Sequence, residues 1–271
     1  MLVHPQPDPI AFALGPVGVH WYGLMYLLGF VAAIALGRMR AQQPWRNWTA
    51  MQVDDLIFYG ALGVIIGGRV GYVLFYDFAH FVQEPWSIFV LWKGGMSFHG
   101  GFLGVLFAVW LFARRYKKAY FDVVDFVAPL VPIGLGAGRI GNFINAELPG
   151  RAADASLPWA MQWPGVDHLV HPSPLYQAVS EGVLLFLIVW FFSWRPRPRY
   201  AVSGVFALCY GCFRFSTEFF REPDAHIGYL AGGWLTMGQL LSLPLVLVGI
   251  FLLVLAYRKR IMPVIAGSHA K

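Results

Sequence analysis

Six basic residues lie inside or directly beyond long apolar segments of this sequence. They are Arg69, Lys93, Arg139, Arg151, Arg214 and Arg221. A charge inside a membrane-spanning helix costs at least about 2.5–3.5 kcal/mol on insertion scales, so such residues are usually paired or functional. A guanidinium grips phosphate oxygens through two parallel hydrogen bonds, so the cluster predicts a site for an anionic lipid headgroup. For Arg69, snorkelling or pairing with a buried acid is an open alternative.

The segment 138–151 combines arginine with amide and carboxylate side chains. Arg139 and Asn142 are three residues apart and share a helical face, so Asn142 is expected to hold Arg139. The polar and glycine positions that follow are Asn145, Glu147, Gly150 and Arg151. A purely structural interpretation is that the asparagines join helices while Gly134 and Gly136 allow close packing. That interpretation suits the glycines and accounts poorly for Arg139.

His99 stands among four glycines in the run Gly94–Gly101. Its ordinary pKa of about 6.5 makes it a candidate general base, and the glycines leave room for a substrate. A histidine hydrogen-bonded between helices is the alternative. Ser97 suggests a serine nucleophile, but residues two apart point to different helix faces.

A polar stripe runs along the sixth apolar segment. Its members, at helical positions 0, 4, 8 and 11, are Tyr210, Arg214, Glu218 and Arg221. Arg214 and Glu218 can pair one turn apart, and the whole stripe is expected to face the protein interior and line a substrate site. Tyr22, at the outer end of the first segment, can be read as an aromatic anchor.

Composition identifies the class of protein that must position these residues. The chain has 271 residues, of which 58% are hydrophobic and 13% charged, with a mean hydropathy of +0.58. Soluble domains are about 45–50% apolar and about 25% charged. A soluble globule, a disordered chain, a coiled coil and a nucleic-acid module are therefore excluded. The two cysteines, Cys209 and Cys212, cannot form a disulfide framework, and no spacing implies a metal or an organic cofactor.

Seven windows of about 20 mainly apolar residues are long enough to cross a hydrocarbon layer of roughly 30 Å. They are 18–37, 54–77, 94–113, 120–143, 174–193, 201–220 and 236–257. Fourteen of the twenty Lys and Arg residues fall in alternate loops and the C-terminal tail, as in cytoplasmic segments. The sequence thus predicts an all-α integral membrane protein in which residues 1–271 form one seven-transmembrane-helix bundle. Its N-terminus is outside (periplasmic) and its C-terminus is cytoplasmic, and the six exceptional cations lie on the outer side.

Four stretches resemble the prolipoprotein diacylglyceryl transferase family. They are His20–Gly23, Gly94–Gly101, Gly138–Gly150, and Tyr210–Arg214 continued by Glu218 and Arg221. The resemblance covers nearly all of the chain, and the thirteen-residue run Gly138–Gly150 is highly specific. One departure is visible before the fifth segment. Family members often read His-Pro-Ser-Gln-Leu-Tyr-Glu, whereas this chain has Pro174 and Gln177 at the Gln and Glu positions.

The resemblance implies a multi-pass enzyme of the bacterial inner membrane, with its active site towards the periplasmic leaflet. It implies transfer of diacylglycerol from phosphatidylglycerol to the lipobox cysteine of a preprolipoprotein, forming a thioether and releasing glycerol phosphate. By position, Arg139 and Arg214 match the family's essential arginines and His99 its proposed base. The other matching motif positions are Tyr22, Asn142, Asn145, Glu147, Gly150, Arg151, Glu218 and Arg221.

A mechanism follows as a hypothesis. The substrate's thiol, with an ordinary pKa of about 8.5, must lose its proton, either to His99 or because arginines or helix-terminal amides favour the thiolate. Arg139 and Arg214 would stabilise the departing phosphate, held in place by Asn142 and Glu218.

Two other functions use the same residues. An anionic-lipid transporter or flippase would also need outer arginines, and Gly68-Arg69-Val70-Gly71 echoes Gly138-Arg139-Ile140-Gly141. Such proteins more often show two related halves, and this echo ends after four residues. An intramembrane serine protease would rest on Ser97 and His99, whose spacing disfavours it.

Overall fold

The computed structural model describes residues 2–15, 17–223 and 228–262, most of them helical. In chain order the helices are α1 (Trp21–Ala41), α2 (Ala50–Tyr76), α3 (Phe78–Gln83), α4 (Phe98–Arg115), α5 (Tyr120–Val127), α6 (Val131–Ile144), α7 (Ser173–Gln177), α8 (Leu185–Phe192), α9 (Ala201–Thr217) and α10 (Met237–Lys259). A π-helix, Ala178–Leu184, joins α7 to α8 without a break. Short 3₁₀ turns are Pro44–Arg46, Pro85–Phe89, Leu91–Lys93, Ala128–Leu130 and Glu218–Phe220.

Two small sheets were not part of the all-α prediction. Strands β2 (Ile10–Leu14) and β3 (Val17–His20) form an antiparallel hairpin directly before α1. A second sheet has the order β1 (Leu2–Val3), β4 (Met161–Gln162) and β5 (Leu169–Val170). The N-terminal strand is therefore hydrogen-bonded to the long loop that follows α6.

Five helical segments within the described residues are long and apolar enough to cross a membrane. They are Trp21–Ala41, Ala50–Tyr76, Tyr120–Ile144, Ser173–Phe192 and Met237–Lys259. Each overlaps one predicted span. The predicted third and sixth spans correspond to α4, of 18 residues, and α9, of 17 residues, which do not meet the same criterion.

Three predicted span starts differ from the observed helix starts by three or four residues. The second helix begins at Ala50, four residues earlier than predicted, because Thr49 is its N-cap. The first helix begins at Trp21 because the chain forms a β-strand up to His20. The third begins at Phe98 because Gly94 and Gly95 have φ values of +81° and +80°. That backbone conformation is open to glycine and incompatible with a helix.

The chain divides into two compact units, residues 2–36 with 125–262, and residues 37–124. In the second unit, α2 and α4 pack through facing glycines. A Cβ atom on Gly104 would lie 2.1 Å from the carbonyl oxygen of Gly63, and one on Gly67 would lie 2.4 Å from that of Gly100. Small residues allow such close backbone approach between membrane helices. This contact fixes the start of α4, where His99 lies.

In the first unit, an apolar core of Ala128, Leu185, Val189 and Val202 joins the α5–α6, α8 and α9 segments. Glycines again set the closest approach, as the sequence predicted. A Cβ atom on Gly136 would lie 3.0 Å from the Cα of Gly182. This contact brings α6 against the π-helix, one turn from Arg139 on the first and next to Glu181 on the second.

Candidate active site

Glu218 is the centre of one half of the site. Its carboxylate is 1% exposed, with Oε2 2.7 Å from Nη1 of Arg214 and Oε1 3.2 Å from Nη1 of Arg221. The hydroxyl of Thr236 donates to Oε1 at 3.1 Å. One buried carboxylate thus organises both arginines of the predicted stripe.

The start of α10 makes room for that carboxylate. Thr236 is the N-cap of α10 and forms a capping box with Gln239. A Cβ atom on Gly238 would lie 2.5 Å from Oε1 of Glu218, so only glycine leaves this space free. The partial positive charge of a helix N-terminus also favours a carboxylate there.

Glu181 is the centre of the other half. Nε and Nη2 of Arg139 both donate to its Oε2, at 3.2 and 3.1 Å. Glu181 is completely buried, whereas the Arg139 side chain is 20% exposed. The expectation that Asn142 holds Arg139 is therefore wrong. Asn142 donates instead to Oε2 of Glu147 at 2.7 Å.

Tyr210 connects the two halves. It interacts electrostatically with Glu181, Arg139 and Arg214, and by a side-chain hydrogen bond with Arg139. We call Arg139, Arg214 and Arg221, together with Glu181 and Glu218, the arginine cluster. Its three guanidinium groups outnumber its two carboxylates, so it keeps an excess of positive charge.

Gly150 and Arg151 attach the loop after α6 to the end of α9. A Cβ atom on Gly150 would lie 2.1 Å from the carbonyl oxygen of His171 and 2.7 Å from that of Phe220. Arg151 donates from Nε to the carbonyl oxygen of Arg221 at 3.0 Å, and from Nη2 to that of Glu218 at 3.2 Å. Arg151 therefore supports the backbone that carries the arginine cluster.

Asn142, Asn145 and Glu147 form a closed turn at the end of α6. Oε1 of Glu147 accepts from Asn145 at 3.1 Å, and the Glu147 backbone N–H donates to the carbonyl of Asn142 at 2.8 Å. Ala146 and Leu148 adopt left-handed φ values of +54° and +56°. The two amides thus stabilise a strained turn one helical turn beyond Arg139.

The N-terminal segment also supports this turn. His4 is 2% exposed and its Nε2 lies 2.7 Å from the carbonyl oxygen of Phe143. Trp163 donates to the carbonyl oxygen of Ala146 at 3.0 Å. Carbonyl groups at the end of α6 are therefore satisfied by side chains far away in sequence.

Tyr22 packs on α6. A Cβ atom on Gly141 would lie 2.8 Å from Cδ2 of the Tyr22 ring, and the ring contacts Tyr26 edge-on at 5.2 Å between centroids. The ring of Tyr22 therefore lies one turn from Asn145 and less than one turn from Arg139 along α6.

His99 belongs to the second unit, at the first turn of α4. Its imidazole is exposed and makes an edge-on contact with Phe98. Among the described residues no side chain or carbonyl hydrogen-bonds to it, so the helix-bridging alternative is not observed. Ser97 is the N-cap of α4 and accepts from the N–H of Gly100 at 3.2 Å. This capping contact explains the serine without a nucleophilic role.

Arg69 is a structural residue rather than part of an anion site. Its guanidinium donates to the carbonyl oxygens of Ile88 at 2.9 Å, Gly94 at 2.7 Å and Gly95 at 3.1 Å, and to that of Ser87. The expectation of a headgroup contact is wrong for Arg69, because all three of its nitrogens hold the loop before α4. The echo between the Arg69 and Arg139 sequences therefore does not extend to their partners.

Sequence analysis did not single out two residues of the site. Glu181 is one, although a carboxylate in a predicted span is expected to have a partner. Thr236 is the other, and its signal was the capping-box pattern of Thr236 and Gln239. Gln177 was noted only as a departure from the family pattern, and its complete burial was not predicted. Lys93 has a side chain outside the described part of the chain, and within that part no three His, Cys, Asp or Glu residues are grouped to hold a metal ion.

Comparisons of the chain with a family model and with curated proteins identify the same family. The family model for prolipoprotein diacylglyceryl transferase matches residues 9–255. A phosphatidylglycerol–prolipoprotein diacylglyceryl transferase of Coxiella burnetii (strain RSA 331 / Henzerling II) is 59% identical over 261 residues, covering 96% of this chain and 99% of the relative. Proteins of the same name from Janthinobacterium sp. (strain Marseille) and Pseudomonas aeruginosa (strain LESB58) are 56% and 57% identical. They match 96% of this chain, and 99% and 97% of their own lengths.

Proposed function

Because this chain belongs to the prolipoprotein diacylglyceryl transferase family, we propose that the arginine cluster is the site at which it transfers the diacylglyceryl group of phosphatidylglycerol to a prolipoprotein. This assignment rests on the difference in exposure between the acids and the arginines of the cluster. The carboxylates of Glu181 and Glu218 are 0% and 1% exposed, whereas the side chains of Arg139 and Arg214 are 20% and 16% exposed. The acids lie behind the arginines, so the accessible face of the cluster is cationic.

That face suits a phosphodiester. Glu181 accepts from the Nε and Nη2 atoms of Arg139, which leaves Nη1 of the guanidinium for an incoming phosphate. Arg214 and Arg221 are oriented by the two oxygens of Glu218. Preorganised cations stabilise charge that develops in a transition state without reorganising.

The reaction is a substitution at the glycerol carbon that carries the phosphate. The thiolate of the lipobox cysteine forms the new C–S bond while the C–O bond to phosphate breaks. The phosphodiester monoanion leaves as glycerol phosphate, which carries more negative charge, and the diacylglyceryl group remains on sulfur as a thioether. Arg139 and Arg214 would stabilise the leaving group as that charge grows.

His99 would take the thiol proton. Its imidazole is exposed, and no described residue hydrogen-bonds to it, so a nitrogen is free to accept. A neutral imidazole accepts a proton through its unprotonated ring nitrogen and can act as a general base.

The remaining site residues have supporting roles. Asn142, Asn145 and Glu147 hold the turn after α6, and Gly150 and Arg151 hold the backbone of Glu218 and Arg221. Tyr22 packs against Gly141 on α6, and Tyr210 lies beside Arg139. The expected partners are the lipid and the signal peptide of a preprolipoprotein, and no step requires a cofactor.

We further propose that the chain crosses the membrane seven times, with α4 and α9 as spans in addition to the five apolar helices. The bias of basic residues towards alternate loops favours a periplasmic N-terminus and a cytoplasmic C-terminus. In that orientation the arginine cluster lies in the outer leaflet of the bacterial inner membrane, where phosphatidylglycerol and the translocated peptide meet.

The direct test is reconstitution of the purified protein in phosphatidylglycerol liposomes with a lipobox peptide. Release of glycerol phosphate together with a diacylglyceryl mass shift on the peptide supports the proposal. A folded protein that releases no headgroup and moves fluorescent phosphatidylglycerol between leaflets would instead indicate a transporter.

A further inference from the structure

Gln177 is a buried polar side chain without a partner. It is the last residue of α7 and is 0% exposed. Neither Oε1 nor Nε2 of its amide has a hydrogen-bond partner among the described residues. Buried polar groups are nearly always hydrogen-bonded to protein or to ordered water, so this amide requires an explanation.

Glu181 presents the matching group. It lies four residues after Gln177 on the same continuous helix and is also 0% exposed. Residues four apart are neighbours on a helix surface. Its Oε2 is used by Arg139, but its Oε1 has no hydrogen bond among the described residues. Two unmatched acceptors and one unmatched NH₂ donor therefore lie on one buried helix face.

We propose that Gln177 and Glu181 hold an ordered water molecule, and that Gln177 is a positioning residue for Arg139. The water donates one hydrogen to Oε1 of Glu181 and the other to Oε1 of Gln177, and accepts from the Gln177 NH₂ group of the same amide or from a neighbouring donor. Buried waters typically make about three hydrogen bonds to groups of this kind. The contact fixes the carboxylate so that Oε2 remains directed at Arg139.

The Gln177 side chain is suited to this role because its amide has both an acceptor and a donor and is long enough to share one water with Glu181. Gln177 can solvate Glu181 without competing for Arg139. This inference rests on the proposed role of Arg139 at the headgroup phosphate.

The test replaces Gln177 by methionine, which has a similar length but cannot hold the water. We expect kcat/KM for phosphatidylglycerol to fall roughly tenfold, because an unsatisfied buried polar group is costly. The loss should fall mainly on kcat, because Arg139 acts on the charge that develops as the phosphate leaves. Gln177→Glu, the residue typical of the family pattern, keeps a polar group of the same length and should restore at least half of the activity.

Ser180→Ala is the matched control. Ser180 lies on the same helix and donates to the carbonyl oxygen of Tyr176 at 2.8 Å, so its polar group is satisfied locally. Its removal should leave kcat and kcat/KM unchanged. Wild-type kinetics in Gln177→Met would overturn the proposal. So would a loss of activity that does not recover in Gln177→Glu, because simple packing would then explain it.

A measurement on the wild type remains informative if Gln177→Met does not fold. Infrared spectra recorded in H₂¹⁶O and H₂¹⁸O reveal the O–H stretch of an internal ordered water, and this band should disappear in Glu181→Gln. Absence of the band in the wild type would overturn the proposal. If the wild type shows the band but makes no product from phosphatidylglycerol, the water site stands and the proposed function fails.

Discussion

Arg139 and Glu181 meet through one edge of the guanidinium and a single carboxylate oxygen, with Nε and Nη2 at 3.2 and 3.1 Å from Oε2. The pair joins α6 to a π-helix. Such segments are rare and often occur at functional sites. Glu181 is fully buried, whereas the side chain of Arg139 is partly exposed. The carboxylate therefore fixes the orientation of the guanidinium and leaves part of it accessible to an anion.

Loss of Arg139 should cut turnover with little effect on fold. We expect Arg139→Ala to reduce kcat by about two to three decades, the range for removing one preorganised donor to a developing anion. Arg139→Lys should recover only part of the rate, because lysine lacks the planar fork. The assay is glycerol phosphate release in phosphatidylglycerol liposomes.

Arg38→Gln is the control for this series. Arg38 forms an exposed bidentate pair with Asp54, and surface pairs contribute about 0–1 kcal/mol. Its activity should equal that of the wild type. An Arg139→Ala enzyme with more than a tenth of wild-type turnover would contradict the phosphate assignment.

A methyl group at Gly238 should disturb the site without removing any charged residue. In Gly238→Ala the added Cβ would lie 2.5 Å from Oε1 of Glu218. The carboxylate must then move from Arg221 and Thr236, and overpacking of this kind costs about 1–3 kcal/mol. We expect activity to fall by at least about fivefold, which corresponds to the lower end of that energy range, together with a lower melting temperature.

Gly60→Ala serves as the comparison, since a Cβ there has no neighbour within 4 Å. It should not lower activity or melting temperature. Equal activity of both variants would show that the position of Glu218 does not matter.

Two glycines of the run 138–150 should respond in opposite ways to alanine. A Cβ on Gly141 would collide with the Tyr22 ring at 2.8 Å, whereas one on Gly138 has no neighbour within 4 Å. Alanine stabilises a helix by up to about 1 kcal/mol relative to glycine. Gly138→Ala should therefore melt no lower than the wild type, and Gly141→Ala should melt lower. Reversal of that order in thermal unfolding would refute the packing described for Tyr22.

The base assignment predicts a distinctive pH dependence for His99→Ala. The thiol, with a pKa of about 8.5, must then lose its proton to solvent. The residual rate should rise with pH through that range, while the wild-type rate should depend less on pH there because the thiol proton goes to His99 instead. Parallel pH profiles for the two proteins would assign His99 a positioning role.

His171 should make folding stability depend on pH. Burial lowers the pKa of its imidazole below the ordinary value, so the unfolded chain binds a proton more readily than the folded one. Stability should therefore rise as pH increases up to about 6.5, the unfolded value, and level off above it. His171→Asn should show a smaller rise than the wild type in melting experiments at pH 5 and above. An unchanged slope would contradict the shift.

Much of the helical fold is predictable because apolar length is a direct consequence of bilayer thickness. The segment 120–143, for example, corresponds to Tyr120–Ile144. The hairpin at Ile10–His20 was not predictable in this way, because its strands are short and merge with an apolar run. The start of α4 depended on Gly94 and Gly95, whose positive φ values are permitted by the residue type but not specified by it.

The candidate site was predictable as a set of residues and not as a set of contacts. The stripe Arg214–Glu218–Arg221 follows from helical spacing alone. The partner of Arg139 does not, because a π-helix changes which residues face inwards and Glu181 is distant in sequence. Arg69 shows that a predicted site residue can lie outside the site. Its guanidinium donates only to backbone carbonyls of the loop before α4, and sequence does not distinguish this role from anion binding.

The hydrogen bond from Thr236 to Glu218 has a consequence for biogenesis. Arg214 and Arg221 are paired with a carboxylate that accepts a hydrogen bond from the start of α10, the last helix among the described residues. A nascent chain that has inserted every earlier helix therefore lacks one of the contacts that position Glu218 between these arginines. Assembly of this half of the arginine cluster is complete only after α10 has been synthesised.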